Sequence, residues 1–166
     1  MTERVIQKVD TFARILTDIA NLSTSSRLKV GAIAVHRKFQ KIASFGYNGS
    51  YPNAPIVSIT GTEEESLEPG GSGFIHAEVN MIAKFREHDP ENYIILLTHS
   101  PCTVCAKVLV NAGFRWIYWK DEYRETEHLQ ILENYGVKCG NIEKLYADYV
   151  TYINPEQYGS GSKNSL

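Results

Sequence analysis

Apolar residues recur at steps of three and four through Val5, Val9, Phe12, Leu16 and Ile19, which predicts an amphipathic helix over residues 2–21. A serine-rich polar loop over 21–26 interrupts that rhythm. Val30, Ala32, Ala34 and Val35 then predict a partly buried strand over 29–36, Arg37-Lys38 a turn, and residues 41–47 a second strand. The two strands are expected to pair as an antiparallel hairpin. Asn48-Gly49 carries strong turn chemistry. Further on, the pattern predicts a helix over 76–86 with Val79, Ile82 and Ala83 on one side, and a buried strand over 93–98. A helix over 102–112, a strand over 115–119 and a helix over 127–135 follow, with a short edge strand at 137–139. Ile142, Leu145, Tyr146, Tyr149 and Val150 mark a closing helix over 141–152. This order predicts an α/β fold, a sheet of about five strands covered by helices on both faces. It reads as a single domain over residues 1–153, without internal repeat.

Two stretches stand outside that pattern. Residues 50–73 form a loop with three prolines, four glycines and the acidic run Glu63-Glu64-Glu65. A functional lid and a solvated insertion are both open for it. Residues 154–166 are rich in Gly, Ser and Asn and are expected to be a flexible tail.

Composition narrows the function classes. The 166 residues are 43% hydrophobic and 22% charged, an ordinary globular balance, with a net charge of −2. A polynucleotide binder normally shows a basic face, so a small-molecule substrate is favoured over nucleic acid. The longest apolar run, Tyr93 to Leu97, is far below the ~18 residues a membrane span needs. The chain opens directly into helical periodicity without a secretory leader, and its three cysteines show no disulfide framework. A cytoplasmic location is expected.

The chemistry concentrates in His76-Ala77-Glu78-Val79-Asn80 and Pro101-Cys102-Thr103-Val104-Cys105. One histidine and two cysteines make a three-ligand zinc set, one short of a closed structural site. The vacant position is where a catalytic zinc keeps its water. His76 with Glu78, and Cys102 with Cys105, fall in the first turns of two predicted helices, whose positive ends favour thiolate over thiol. Pro101 suits a helix start. A purely structural zinc site would want a fourth ligand, and Cys139, His36, His88, His99 and His128 make no obvious pair with the set.

The pairing of H-x-E with P-C-x-x-C resembles the zinc-dependent base deaminases. Over about Ser25 to Gly136 the chain resembles, more narrowly, the deoxycytidylate (dCMP) deaminases of bacterial, phage and eukaryotic type. The pieces that carry this are Val30-Gly31-Ala32, Gly46-Tyr47-Asn48-Gly49, His76 to Asn80, Thr98 to Lys107, Ala112-Gly113 and Asp121-Glu122-Tyr123-Arg124. The resemblance implies a three-layer α/β/α fold with a mixed sheet, one catalytic Zn²⁺ on His76, Cys102 and Cys105, and Glu78 as the proton shuttle. Water activated by the zinc would attack C4 of the base while Glu78 protonates N3 and then assists ammonia release. It also implies that Asn48 meets the sugar hydroxyls and the Ala77 N–H holds the pyrimidine O2. Arg27, Tyr123 and Arg124 would handle the phosphate and sugar end, where Arg suits bidentate phosphate recognition. Many relatives are trimers or hexamers, activated by dCTP with Mg²⁺ and inhibited by dTTP. The resemblance therefore makes Gly46, Tyr47, Asn48 and Gly49 candidate effector-binding residues and implies a homo-oligomer.

Other readings stay open at this stage. One is a different deaminase branch, acting on a nucleoside, on tRNA or on a pterin-like or riboflavin-pathway base. Another is a catalytically silent dCTP/dTTP sensor, although such a protein has no need of Glu78. A zinc-stabilised interaction module is more remote. Cys139 is expected to be a small buried hydrophobe, His88 and His128 exposed polar residues, and Trp116 and Trp119 core or subunit contacts. His99 is read as a satisfied loop histidine, with contact to the base pocket as its alternative.

Overall fold

The computed structural model describes residues 3–53, 73–123 and 126–153. Helix α1 (Glu3–Ala20) leads to an antiparallel pair, β1 (Gly31–His36) and β2 (Ile42–Tyr47). Two short strands, β3 (Gly49–Ser50) and β4 (Phe74–Ile75), pair with each other. Helix α2 (Ala77–Lys84), strand β5 (Tyr93–His99), helix α3 (Thr103–Asn111) and strand β6 (Trp116–Asp121) follow. Helix α4 (Glu127–Asn134), strand β7 (Lys138–Asn141) and helix α5 (Ile142–Ile153) complete the described chain. The main sheet runs β2-β1-β5-β6-β7. It is mixed: β2, β1 and β5 pair antiparallel, whereas β5, β6 and β7 pair parallel.

Strand alternation divides the core into two layers. Ala32, Ala34, Ile95, Leu97, Ile117 and Trp119 face α2, α3 and α4. Ile33, Val35, Ile94, Leu96, Trp116 and Tyr118 face α1 and α5. The three-layer α/β/α expectation with five main strands therefore holds. β1 is buried on both faces rather than partly, because helices cover it from each side.

Glycines set the closest approaches. A Cβ on Gly31 would lie 2.9 Å from the Leu16 carbonyl oxygen, so α1 rests directly on the β1 backbone. A Cβ on Gly46 would collide with the Ala77 carbonyl and the Met81 N–H, so α2 crosses β2 where no side chain intervenes. This contact fixes the helix that carries the site.

Several expectations need correction. The buried side of α2 is Ala77, Glu78 and Met81, whereas Val79 is 37% exposed. The helix spans eight residues, too few for its apolar period to reveal which side faces the sheet. His128 is 0% exposed, not a surface residue, and packs its ring edge-on against Trp119 at 5.4 Å. Cys139 is buried as expected. The β3–β4 ladder lies at the margins of the stretch read as one loop, and two-residue strands leave no periodic signal. The acidic run Glu63 to Glu65 and the tail 154–166 lie outside the described residues.

Candidate metal and proton-transfer site

The β3–β4 ladder pairs Gly49 with Ile75 and Ser50 with Phe74. Continuing that register by one step sets Asn48 alongside His76, which caps α2 in an extended conformation. From the other side, β5 runs through Ser100 and Pro101 to Cys102, the N-cap of α3. β4 and β5 thus each lead into a helix N-terminus, and the donor atoms carried there converge. Cys102 caps its helix with sulfur, accepting the Cys105 N–H at 3.5 Å.

His76 Nδ1 lies 3.7 Å from Cys102 Sγ and 3.4 Å from Cys105 Sγ. Zinc–sulfur bonds of about 2.3 Å and zinc–nitrogen bonds of about 2.0–2.1 Å, meeting tetrahedrally, place sulfur and nitrogen about 3.5 Å apart. The observed distances bracket that spacing, so the three donors fit one zinc ion. Among the described residues no other His, Cys, Asp or Glu joins the cluster. Among the described residues the candidate ligand set is thus of the open, three-residue kind.

The electrostatics of the trio favour a cation. The hydrogen bond from the Cys105 thiol, with help from His76, pushes the Cys102 thiol down to about 4 despite burial. Cys105 is held strongly upward, first by that same bond and then by burial. One thiol releases its proton readily and its neighbour resists, as two adjacent negative charges must. A divalent cation is what holds both as thiolates.

Glu78 is 4% exposed on the buried side of α2, outside the ligand cluster. Burial pushes its carboxyl above the ordinary range; its own N–H and His76 oppose this, while the Cys102 charge adds to it. A carboxyl whose proton affinity is raised in this way is suited to general acid–base work. The first-turn N–H of Ala77 has no acceptor within its helix, which is a property of every helix start.

The remaining expected residues take less direct positions. Asn48 is buried, its Oδ1 accepting the Val30 N–H and its Nδ2 donating to the Leu28 carbonyl, both at 2.8 Å. Ser23 donates to the Asn48 carbonyl at 2.8 Å, and Ser25 Oγ accepts the N–H groups of Arg27 and Leu28 at 3.3 Å. Arg27, itself exposed, thus belongs to the same hydrogen-bonded loop as Asn48. The Tyr47 carbonyl accepts from Asn80 Nδ2 at 2.9 Å, so Gly46 to Gly49 are woven into the seating of α2. Tyr123 is half-buried, and Arg124 lies outside the described residues.

Sequence reasoning missed Ser23, Ser25 and Ser100 as positioning residues. The buried Ser100 Oγ accepts the Tyr123 N–H at 2.6 Å, tying the segment after β6 to the residues before Cys102. The serine-rich composition of residues 21–26 was the available signal for the first two, since such hydroxyls organise tight turns.

Residues 6–120 match the family model of the cytidine and deoxycytidylate deaminase zinc-binding region. ComE operon protein 2 of Bacillus subtilis is 30% identical over 128 residues, 75% of this chain and 66% of the relative. Mouse deoxycytidylate deaminase is 30% identical over 112 residues, 65% of this chain and 62% of the relative. The match thus spans just under two thirds of each relative's length. A crystal structure of the dCMP deaminase from cyanophage S-TIM5, in complex with dCMP and dUMP, aligns with a TM-score of 0.66. It shares 26% identity across 85% of this chain and 98% of that one. With His76, Cys102, Cys105 and Glu78 all inside the matched stretch, the chain belongs to the cytidine and deoxycytidylate deaminase family.

Proposed function

We propose that the protein hydrolyses dCMP to dUMP and ammonia, with one zinc ion held by His76, Cys102 and Cys105. The observation that supports this most is the buried Glu78 carboxyl set next to an open three-ligand cluster. The named activity of the mouse and cyanophage relatives points the same way.

When bound, zinc supplies Lewis acidity that makes a water nucleophilic at neutral pH. Glu78 takes the proton that this water loses and passes it to N3 of cytosine while the oxygen adds at C4. Protonating N3 removes the ring's resistance to addition. Glu78 then takes the proton of the new C4 hydroxyl and gives it to the amino group, which leaves as ammonia as the C4 carbonyl of uracil forms. The Ala77 N–H holds the pyrimidine O2. Asn48 meets the sugar hydroxyls with its remaining lone pair and N–H, and Arg27, Tyr123 and Arg124 serve the phosphate end.

The same reading has the enzyme work in the cytoplasm, where its thiols stay reduced, as a trimer or hexamer supplying dUMP for thymidylate synthesis. It includes activation by dCTP with Mg²⁺ and inhibition by dTTP through the Gly46–Gly49 segment. No helix among the described residues is long and apolar enough to cross a membrane.

The test is the ultraviolet change from cytosine to uracil, with dCMP, deoxycytidine and dCTP as separate substrates, with and without dCTP and Mg²⁺. Turnover confined to dCMP supports the reading, and a rise with dCTP supports the control. Turnover of deoxycytidine in preference to dCMP contradicts it.

A further inference from the structure

Strand β5 ends at His99. Its alternation sends Tyr93, Ile95 and Leu97 into the core shared with α2 and α3, and Ile94 and Leu96 into the opposite core. The same period of two puts His99 on the α2–α3 face. It stands three residues before the ligand Cys102, the N-cap of α3.

The bonding around His99 engages one of its two ring nitrogens. Its Nδ1 lies 3.1 Å from Thr98 Oγ1. That hydroxyl belongs to a buried residue and already accepts the Gly31 N–H at 3.0 Å. A hydroxyl has one proton to give, and among the described residues His99 Nδ1 is the acceptor in place for it. The tautomer in which this hydroxyl donates to Nδ1 carries the ring proton on Nε2. Burial holds the imidazole below its ordinary pKa and so keeps it neutral. No hydrogen-bond partner for Nε2 occurs among the described residues, although His99 is half-buried. The next residue, Ser100, bonds to both Asp121 and Tyr123, so this donor stands beside the turn that presents Tyr123.

We propose that His99 is a specificity-determining residue whose Nε2–H donates to a 5′-phosphate oxygen of the substrate. The inference rests on the dCMP reading and deepens it. In that reading O2, N3 and the sugar hydroxyls have partners in Ala77, Glu78 and Asn48, and Tyr123, assigned there to the phosphate end, is tied by its N–H to Ser100, the neighbour of His99. A neutral donor on a rigid strand end separates nucleotide from nucleoside because an N–H facing nothing gains nothing. Asp121, the register partner of His99 on β6, is exposed, so its charge is weakened by water and salt.

The test is calorimetric binding of dUMP and of deoxyuridine to the zinc-loaded full chain, for wild type, His99→Leu and His99→Gln. Losing a hydrogen bond to a charged acceptor weakens dUMP binding at least about tenfold in His99→Leu, and the preference for dUMP over deoxyuridine shrinks by the same factor. The Gln amide nitrogen reaches about where Nε2 does, so His99→Gln recovers most of that preference. Equal weakening of both ligands in His99→Leu, an unchanged preference, or a His99→Gln loss as large as that of His99→Leu overturns the proposal. Should His99→Leu fail to fold, the comparison of wild type with His99→Gln and His99→Phe carries the same outcomes. Failure of the dCMP reading is separable, because it appears as wild type binding neither dUMP nor turning over dCMP.

Discussion

Glu78 and His128 are both fully enclosed, yet they differ in what encloses them. Glu78 has its own N–H, His76 and the cysteine pair around it, and the proposed chemistry uses its raised proton affinity. His128 has Trp119 against its ring, and neither of its nitrogens has a hydrogen-bond partner among the described residues. Leaving buried polar atoms unpaired costs about 1–3 kcal/mol, whereas an apolar group of similar size avoids that cost. The edge-on contact with Trp119 returns only about 0.5–1.5 kcal/mol. His128→Leu is therefore expected to unfold in urea at a midpoint equal to or above that of wild type. A midpoint clearly below it would mean that His128 has a bonding role not visible around its ring.

At the scale of elements, the site depends on how α2 lies across β2. Gly46 permits that crossing, because a Cβ there would run into main-chain atoms of Ala77 and Met81 that cannot rotate away. Gly46→Ala is expected to displace the start of α2 and to cost about 1–3 kcal/mol, as overpacking does. Because His76 and Glu78 ride on that helix, zinc content and turnover should fall with stability; loss of stability with full zinc content would separate the two. The grouping of His76, Cys102 and Cys105 was legible in the sequence because metal chemistry fixes residue type and spacing together. The five main strands were legible because β5 and β6 are long apolar runs set between helical periods. The seating of α2 was not, since an eight-residue helix samples barely two turns and its buried side includes a glutamate. Nor was the role of Asn48 in holding residues 28–30, because its partners are main-chain groups that carry no sequence signature.

For the whole molecule, the separation between core and metal site sets how the protein responds to losing zinc. Buried residues on both sides of a five-stranded sheet supply a core that does not include the metal. Chelation is therefore expected to abolish turnover and lower the thermal midpoint by mass action while leaving the helical circular dichroism intact. Collapse of the dichroism on chelation would make zinc a folding requirement, as it is in small zinc-dependent domains.

The measurement that bears most directly on the central claim compares wild type and Glu78→Gln for bound zinc and for dCMP turnover in the same preparations. The proposed role of Glu78 predicts one zinc per chain in both and a rate at least about a hundredfold lower in the variant, the scale of a lost general acid–base. A Glu78→Gln protein that holds its zinc and deaminates dCMP at the wild-type rate would contradict it.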